Sequence, residues 1–360
     1  MLRLQSFSIL CAITLLVIIA AVVTHEDTDA IPGAGEPVFP DLLSAVNQVQ
    51  SIRVTSGGKT FSLKQVGGDW VAPDRFDHPA DADKVHSLLV GAAGMTRVEP
   101  KTGKSELYPK LGLGDPANET SPAVAFVLEG DGGETIASWI TGNTGPAKAD
   151  PEASEIYVRI PDDPQAWLVE GKLPRDVKLV DWLDRSISSV DRKRVHQVRV
   201  RHRDGEEVVV RKEAYEETDF LLSDMPGDMD VNGQWRINDI GRAFSNLELE
   251  DVSPRSSLPE DASPRLEAIM QTFDGLEVIL SLYQVGEQSV AVLAARFDQG
   301  LRVDSQAKID VDTVRGEADG LNAKWRRWVY TLPDFKADHL AQKRDTLLKS
   351  KSGEGGGGSG

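Results

Sequence analysis

The chain has 360 residues, of which 40% are hydrophobic, enough for the cores of two ordinary domains. Its formal charge of −17 repels nucleic acid and anionic head groups, which argues against both as partners. The single cysteine, Cys11, excludes an intramolecular disulfide and any cysteine-based zinc site.

The chain opens with an apolar run over residues 7–23, from Phe7 to Val23, without one charge, at the short end of what crosses a bilayer as a helix. Arg3 precedes it, while Glu26, Asp27 and Asp29 follow, so the positive-inside bias keeps the N-terminus cytoplasmic. Residues 1–24 are read as a cytoplasmic stub and transmembrane anchor, and the bulk of the chain as exported. The run ends Val22-Val23-Thr24-His25 without the small residues of a signal cleavage site. Residues 25–40, rich in Pro and Gly, read as a flexible tether, and residues 350–360 as a Gly-rich disordered tail.

Between these lies a duplication, which predicts two α+β domains at 41–187 and 188–349, each an antiparallel sheet with packed helices. The first copy opens with alternation at Ile52, Val54, Phe61 and Leu63 around a Gly57-Gly58 turn, then a strand at Trp70-Val71. The second repeats this plan 146 residues further on, with Val198, Val200, an Asp204-Gly205 turn and Val208 to Val210. A helix follows in each, at 82–93 with a Val85, Leu88, Leu89 stripe and at 234–247 with Ile237, Ile240, Phe244. Short segments ending Val98-Glu99-Pro100 and Val252-Ser253-Pro254 come next, then hairpins turning at Gly132-Gly133 and Asp274-Gly275. A strand carrying Trp167 or Trp328 and a Pro-led helix close the copies.

The phrases VQSIRVTSGGKTFSLKQVGGDWVAP, LYPKLGLGDPA and SEIYVRIPDDPQAWLVEG resemble the bacterial domain-of-unknown-function family 4340, and the likeness covers residues 42 to about 349. Leu111-Gly112-Leu113-Gly114-Asp115-Pro116 is its most specific piece, with Tyr108 displaced upstream. The resemblance implies an N-terminally anchored protein of the bacterial inner membrane, its bulk periplasmic, whose partners are ABC-transporter permease or auxiliary membrane subunits. It supplies no catalytic residue.

Candidate chemistry is sparse. Asp228, Asp230 and Asn232, with Asp239 further on, place oxygen ligands at alternate positions as calcium loops do, but Arg236 interrupts the pattern and no entering helix precedes it. The bland alternative is a turn and helix cap. His196 and His202 are six residues apart on a strand, too far for one metal, and they read with His78 and His86 as surface histidines. Alternate Arg199, Arg201 and Arg203 share a strand face, either a docking surface for an acidic partner or a solvated face guarded by charge. No catalytic set or cofactor-binding motif emerges. The sequence points to a non-catalytic accessory protein of a transporter or envelope complex; the alternatives are a glycan- or lipid-binding module, or a hydrolase with an unrecognised carboxylate pair.

Overall fold

The computed structural model describes residues 31–146 and 154–351. The predicted anchor from Phe7 to Val23 lies outside the described residues, as do the tether up to residue 30 and the tail from residue 352. Among the described residues, no helix is long and apolar enough to cross a membrane. The fold is α+β, dominated by antiparallel sheet. The chain divides into two compact units, the described residues up to Gln65 with Asp83–Val177, and Val66–Ala82 with the residues from Lys178 onward.

In chain order the first repeat gives α1 (Leu42–Ala45), β1 (Ser51–Ser56), β2 (Lys59–Val66), β3 (Asp69–Ala72), β4 (His78–Pro79), α2 (Ala82–Ala93) and β5 (Thr96–Thr102). It continues with β6 (Val124–Glu129), β7 (Thr135–Thr144), β8 (Glu155–Arg159) and β9 (Ala166–Glu170). Strands β3 and β4 belong to the second unit. In the first unit the strands run β2-β1-β6-β7-β8-β9-β5. Gly57 and Gly58, at φ 55° and 71°, supply the doubly left-handed turn that joins β1 to β2 without splaying them. The α2 stripe of Val85, Leu88 and Leu89 is buried, as its helical spacing predicts. Trp139 stacks on Phe126 with centroids 5.2 Å apart in the same core. Residues 31–40, expected as tether, are pinned instead: Val38 is buried and donates its amide to Met95 O at 2.8 Å, and Pro37 bridges Thr96.

The second repeat gives β10 (Ser186–Ser188), β11 (Val195–His202), β12 (Glu207–Arg211), β13 (Leu221–Leu222), β14 (Met229–Val231) and α3 (Gln234–Gly241). Then come β15 (Leu247–Glu248), β16 (Asp251–Pro254), β17 (Leu266–Thr272), β18 (Leu276–Val285) and β19 (Gln288–Phe297). The chain closes with α4 (Val311–Trp325), β20 (Trp328–Thr331), α5 (Asp334–Leu340), α6 (Arg344–Leu347) and β21 (Leu348–Ser350). Its main sheet runs β13-β12-β11-β17-β18-β19-β20-β16. From β12 to β16 this is the order of the first sheet, strand for strand. Registers match as well: Pro100 pairs with Trp167 and Pro254 with Trp328. Helix α3 packs on β11 and β12 through Ile237 and Ile240, with Phe244 buried beyond its end.

Two helical expectations need correction. The Pro-led segment of the first copy forms only a 3-10 turn at Leu179–Trp182, because Leu183 is bridged to Ala80 and its backbone is held extended at ψ 153°. Helix α3 stops at Gly241, before the predicted 247, where the Arg242 amide caps the Asn238 carbonyl. The second copy also carries an unpredicted element, α4, between β19 and β20. Asp310 caps it by accepting from the Thr313 amide.

Candidate functional site

The second unit contains a cleft of about 620 Å³ where the β3–β4 ribbon, the segment around Asp184, the end of α4 and the start of β20 meet. The ribbon's turn is built from two consecutive non-glycine residues in the left-handed region, Phe76 and Asp77, both at φ 60°. Such residues cost on the order of 1–2 kcal/mol each, so surrounding contacts must hold them. The Asp77 amide donates to Ala72 O at 3.0 Å, Arg75 Nε reaches Asp251 Oδ1 at 2.7 Å, and the Asp184 amide donates to Pro79 O at 2.9 Å.

This turn delivers His78 into the interior, where it is only 2% exposed. Its ring lies 5.0 Å from Trp328, and Tyr330 meets it edge-on at 6.5 Å. Nδ1 is 3.0 Å from Pro79 O, and since a carbonyl only accepts, Nδ1 carries a proton, which in the neutral ring leaves the lone pair on Nε2. Burial lowers the His78 pKa below the usual imidazole value; the Pro79 hydrogen bond and the Asp184 charge oppose that shift. The Tyr330 hydroxyl is buried without a hydrogen-bond partner among the described residues, and burial raises its pKa. At the rim, Lys324 Nζ pairs with Asp184 Oδ2 at 2.9 Å, and the Arg327 guanidinium lies 5.0 Å over the Trp328 ring. Trp70, half-buried, completes the lining. The cleft thus offers indole side chains, paired charges and an imidazole acceptor, which suits non-covalent recognition.

The residues singled out in the sequence lie elsewhere. Asp230 sits on β14, which pairs with β21, and its carboxylate accepts from the Val231 amide. Asn232 donates its side-chain amide to Thr346 O at 3.1 Å, and Asp239 faces His339 at 3.8 Å. Asp228 takes part through its backbone carbonyl, which accepts from the Lys351 amide at 3.0 Å, so these residues serve a β-ribbon and a helix contact. Among the described residues, no group of three or more acidic, His or Cys side chains is placed to hold a metal ion.

Arg199 and Arg201 do share the outward face of β11, with Arg199 half-buried between Val209 and Ile269. Arg201 pairs with Glu207 at 2.9 Å, and exposed Arg203 donates its amide to Arg265 O. The neighbouring cations are also engaged. Lys193 faces Glu216 at 3.5 Å, and Arg194 forks onto Asp274 at 2.8 and 3.1 Å while reaching Glu317 at 2.7 Å.

Two of the histidines expected at the surface are buried. His78 is one, and His202 lies at 7% exposure on the inward face shared with Val198 and Val200. His196 falls at an irregularity in the β11–β17 register and stacks on Phe273 at 4.6 Å. The cleft was missed because its parts are spread from Val66 to Trp328 in sequence. The nearest signal was Phe76-Asp77-His78-Pro79, a compact turn followed by a proline.

A family model described as "Domain of unknown function (DUF4340)" matches residues 70–266, more than half of the chain, and the protein belongs to that family. No curated protein matches. Nor does any solved structure.

Proposed function

We propose that this protein is a non-catalytic accessory subunit, anchored in the bacterial inner membrane by the run from Phe7 to Val23, with its folded units in the periplasm. Its partners are the permease or auxiliary membrane subunits of an ABC transporter, or another envelope complex. The reading starts from the apolar run with its charge asymmetry, together with membership of the family.

The observation that carries it is the outward face of the second sheet. There Val209, Arg199, Ile269 and Ile279 stand in one cross-strand row, all half-buried. Glu207, Arg201 and Glu267 flank this row on the next. A half-exposed apolar row edged by charges of both signs is the composition of a protein–protein contact, with apolar burial for affinity and charges for register.

The test places a photo-crosslinking residue at Ile269 in the full-length protein in its native membrane, followed by affinity purification. Crosslinks to transporter subunits are expected. Recovery of the chain with no membrane partner, or turnover of a glycan by the purified protein, overturns the reading.

A further inference from the structure

We infer that the His78 cleft is a binding site for a neutral saccharide, a short stretch of oligosaccharide seated on Trp70. This inference goes beyond the accessory role and does not depend on it.

The lining itself eliminates other ligand classes. Its carboxylates, Asp69, Asp77 and Asp184, are matched in number by Lys324, Arg326 and Arg327. A site without net charge does not concentrate polyphosphates or nucleic acid, which need an excess of cations. An acyl chain needs walls that are apolar throughout, whereas here charged groups alternate with Trp, Val, Ala and Pro.

What remains is a ligand with an apolar face and many hydroxyl groups on its edge. The C–H face of a pyranose lies on an indole, and its hydroxyls both donate and accept. Carboxylates accept from them, while ammonium and guanidinium groups donate to them. Trp70 presents the platform, since Trp328 is 5% exposed and is taken up by His78 and Arg327. The neutral His78, with Nδ1 committed to Pro79 O, leaves Nε2 as an acceptor for a hydroxyl donor. The Lys324–Asp184 pair holds donor and acceptor 2.9 Å apart, a spacing that adjacent hydroxyls of a sugar ring can bridge. The cleft volume of about 620 Å³ lies within the range of small-ligand sites.

Substitution at Trp70 is a direct probe, because its contact with β4 is through the backbone carbonyl, which accepts from the Ala80 amide at 2.8 Å and is kept by any side chain. The experiment titrates detergent-solubilised full-length protein with chitotetraose, cellotetraose and maltotetraose, reading tryptophan fluorescence and calorimetry. Saturable binding of at least one is expected, with Trp70→Ala weakening it by about tenfold or more, the loss of one stacking platform. Trp70→Phe, which keeps an aromatic face, retains most of the affinity, and Trp235→Ala, at an exposed tryptophan outside the cleft, leaves it unchanged. Absence of saturable binding for all three sugars, or binding that Trp70→Ala and Trp70→Phe both leave intact, overturns the inference. Failure here leaves the crosslinking result at Ile269 untouched, and failure there leaves this one untouched.

Discussion

At the level of single residues, the strongest charges in the second unit hold its fold together. Asp274 is fully buried and accepts both arms of the Arg194 fork, and the Thr272 hydroxyl donates to it at 2.6 Å. Lys212 is also buried, with no carboxylate partner among the described residues; its ammonium donates to the carbonyls of Arg192, Lys193 and Glu217 and lies over the rings of Phe220 and Phe273. Burial lowers its pKa. Removing one partner of a buried ion pair leaves the other charge without compensation. Arg194→Met is therefore expected to lower unfolding free energy by about 3–5 kcal/mol, read from chemical denaturation, with Asp274→Asn in the same chain recovering part of the loss. Arg201→Ala, which breaks the exposed pair with Glu207, is expected to cost under about 1 kcal/mol. An equal cost for the two would remove the structural role assigned to the fork. Arg194 and Arg201 stand seven residues apart in the sequence, and nothing in one-dimensional spacing separates a buried arginine from a solvated one. That separation depends on Asp274 and Glu317, which lie far along the chain.

At the level of elements, alternation and turn chemistry carried most of the fold. The meanders, the middle hairpins, the helix at 82–93 and both buried stripes stand where period-2 and period-3.6 spacing placed them. Helix α4 escaped because only Val314, Ala318 and Trp325 of its residues are buried, and Gly316 and Gly320 weaken its helical signal. The most specific family phrase also has a physical reason. After the 3-10 turn Ser105–Leu111, Gly112 sits at φ 72°, and its amide donates to Pro109 O as the chain reverses. Leu113 then enters a cluster with Ala123, Ile140 and Ala166, while Tyr108 donates its hydroxyl to Pro164 O at 2.7 Å. A Cβ on Gly112 would meet the Asn143 amide nitrogen at 2.8 Å, and the left-handed backbone adds to the penalty. Gly112→Ala is expected to lower the melting midpoint of the first unit by an amount equivalent to about 1–3 kcal/mol. Gly67→Ala, with a similar φ of 62° but open space around it, isolates the backbone share and is expected to cost less.

At the scale of the whole molecule, duplication was legible in the sequence, but the boundary between compact units was not. Repeats are found by matching order, which puts β3 and β4 with the first copy; compactness follows contacts, which put residues 66–82 with the second unit. The candidate site was illegible for the same reason, since His78 acquires its surroundings only when this ribbon meets Trp328, Tyr330 and Asp184. A division that leaves the ribbon with the first copy therefore has a predictable consequence. A fragment of residues 178–351 contains all of β10 to β21 but lacks the ribbon. Without it, Trp328 and Tyr330 lose the His78 ring, Leu183 loses its bridge to Ala80, and Asp251 loses Arg75. Each loss exposes apolar surface or frees a polar group, and together they weaken packing along β16 and β20, the edge of the sheet. The fragment is expected to bind a hydrophobic dye and to unfold at a lower denaturant concentration than the same residues within the intact chain, followed by tryptophan fluorescence. A synthetic peptide of residues 66–82, added in excess, should shift that midpoint upward in a concentration-dependent way, as any ligand of the native state does. The same peptide with His78→Ala should shift it less, because it cannot refill the space beside Trp328. A fragment as stable as the corresponding part of the whole chain, and indifferent to the peptide, would show that the ribbon is dispensable and would return the boundary to the sequence repeat at 187 and 188.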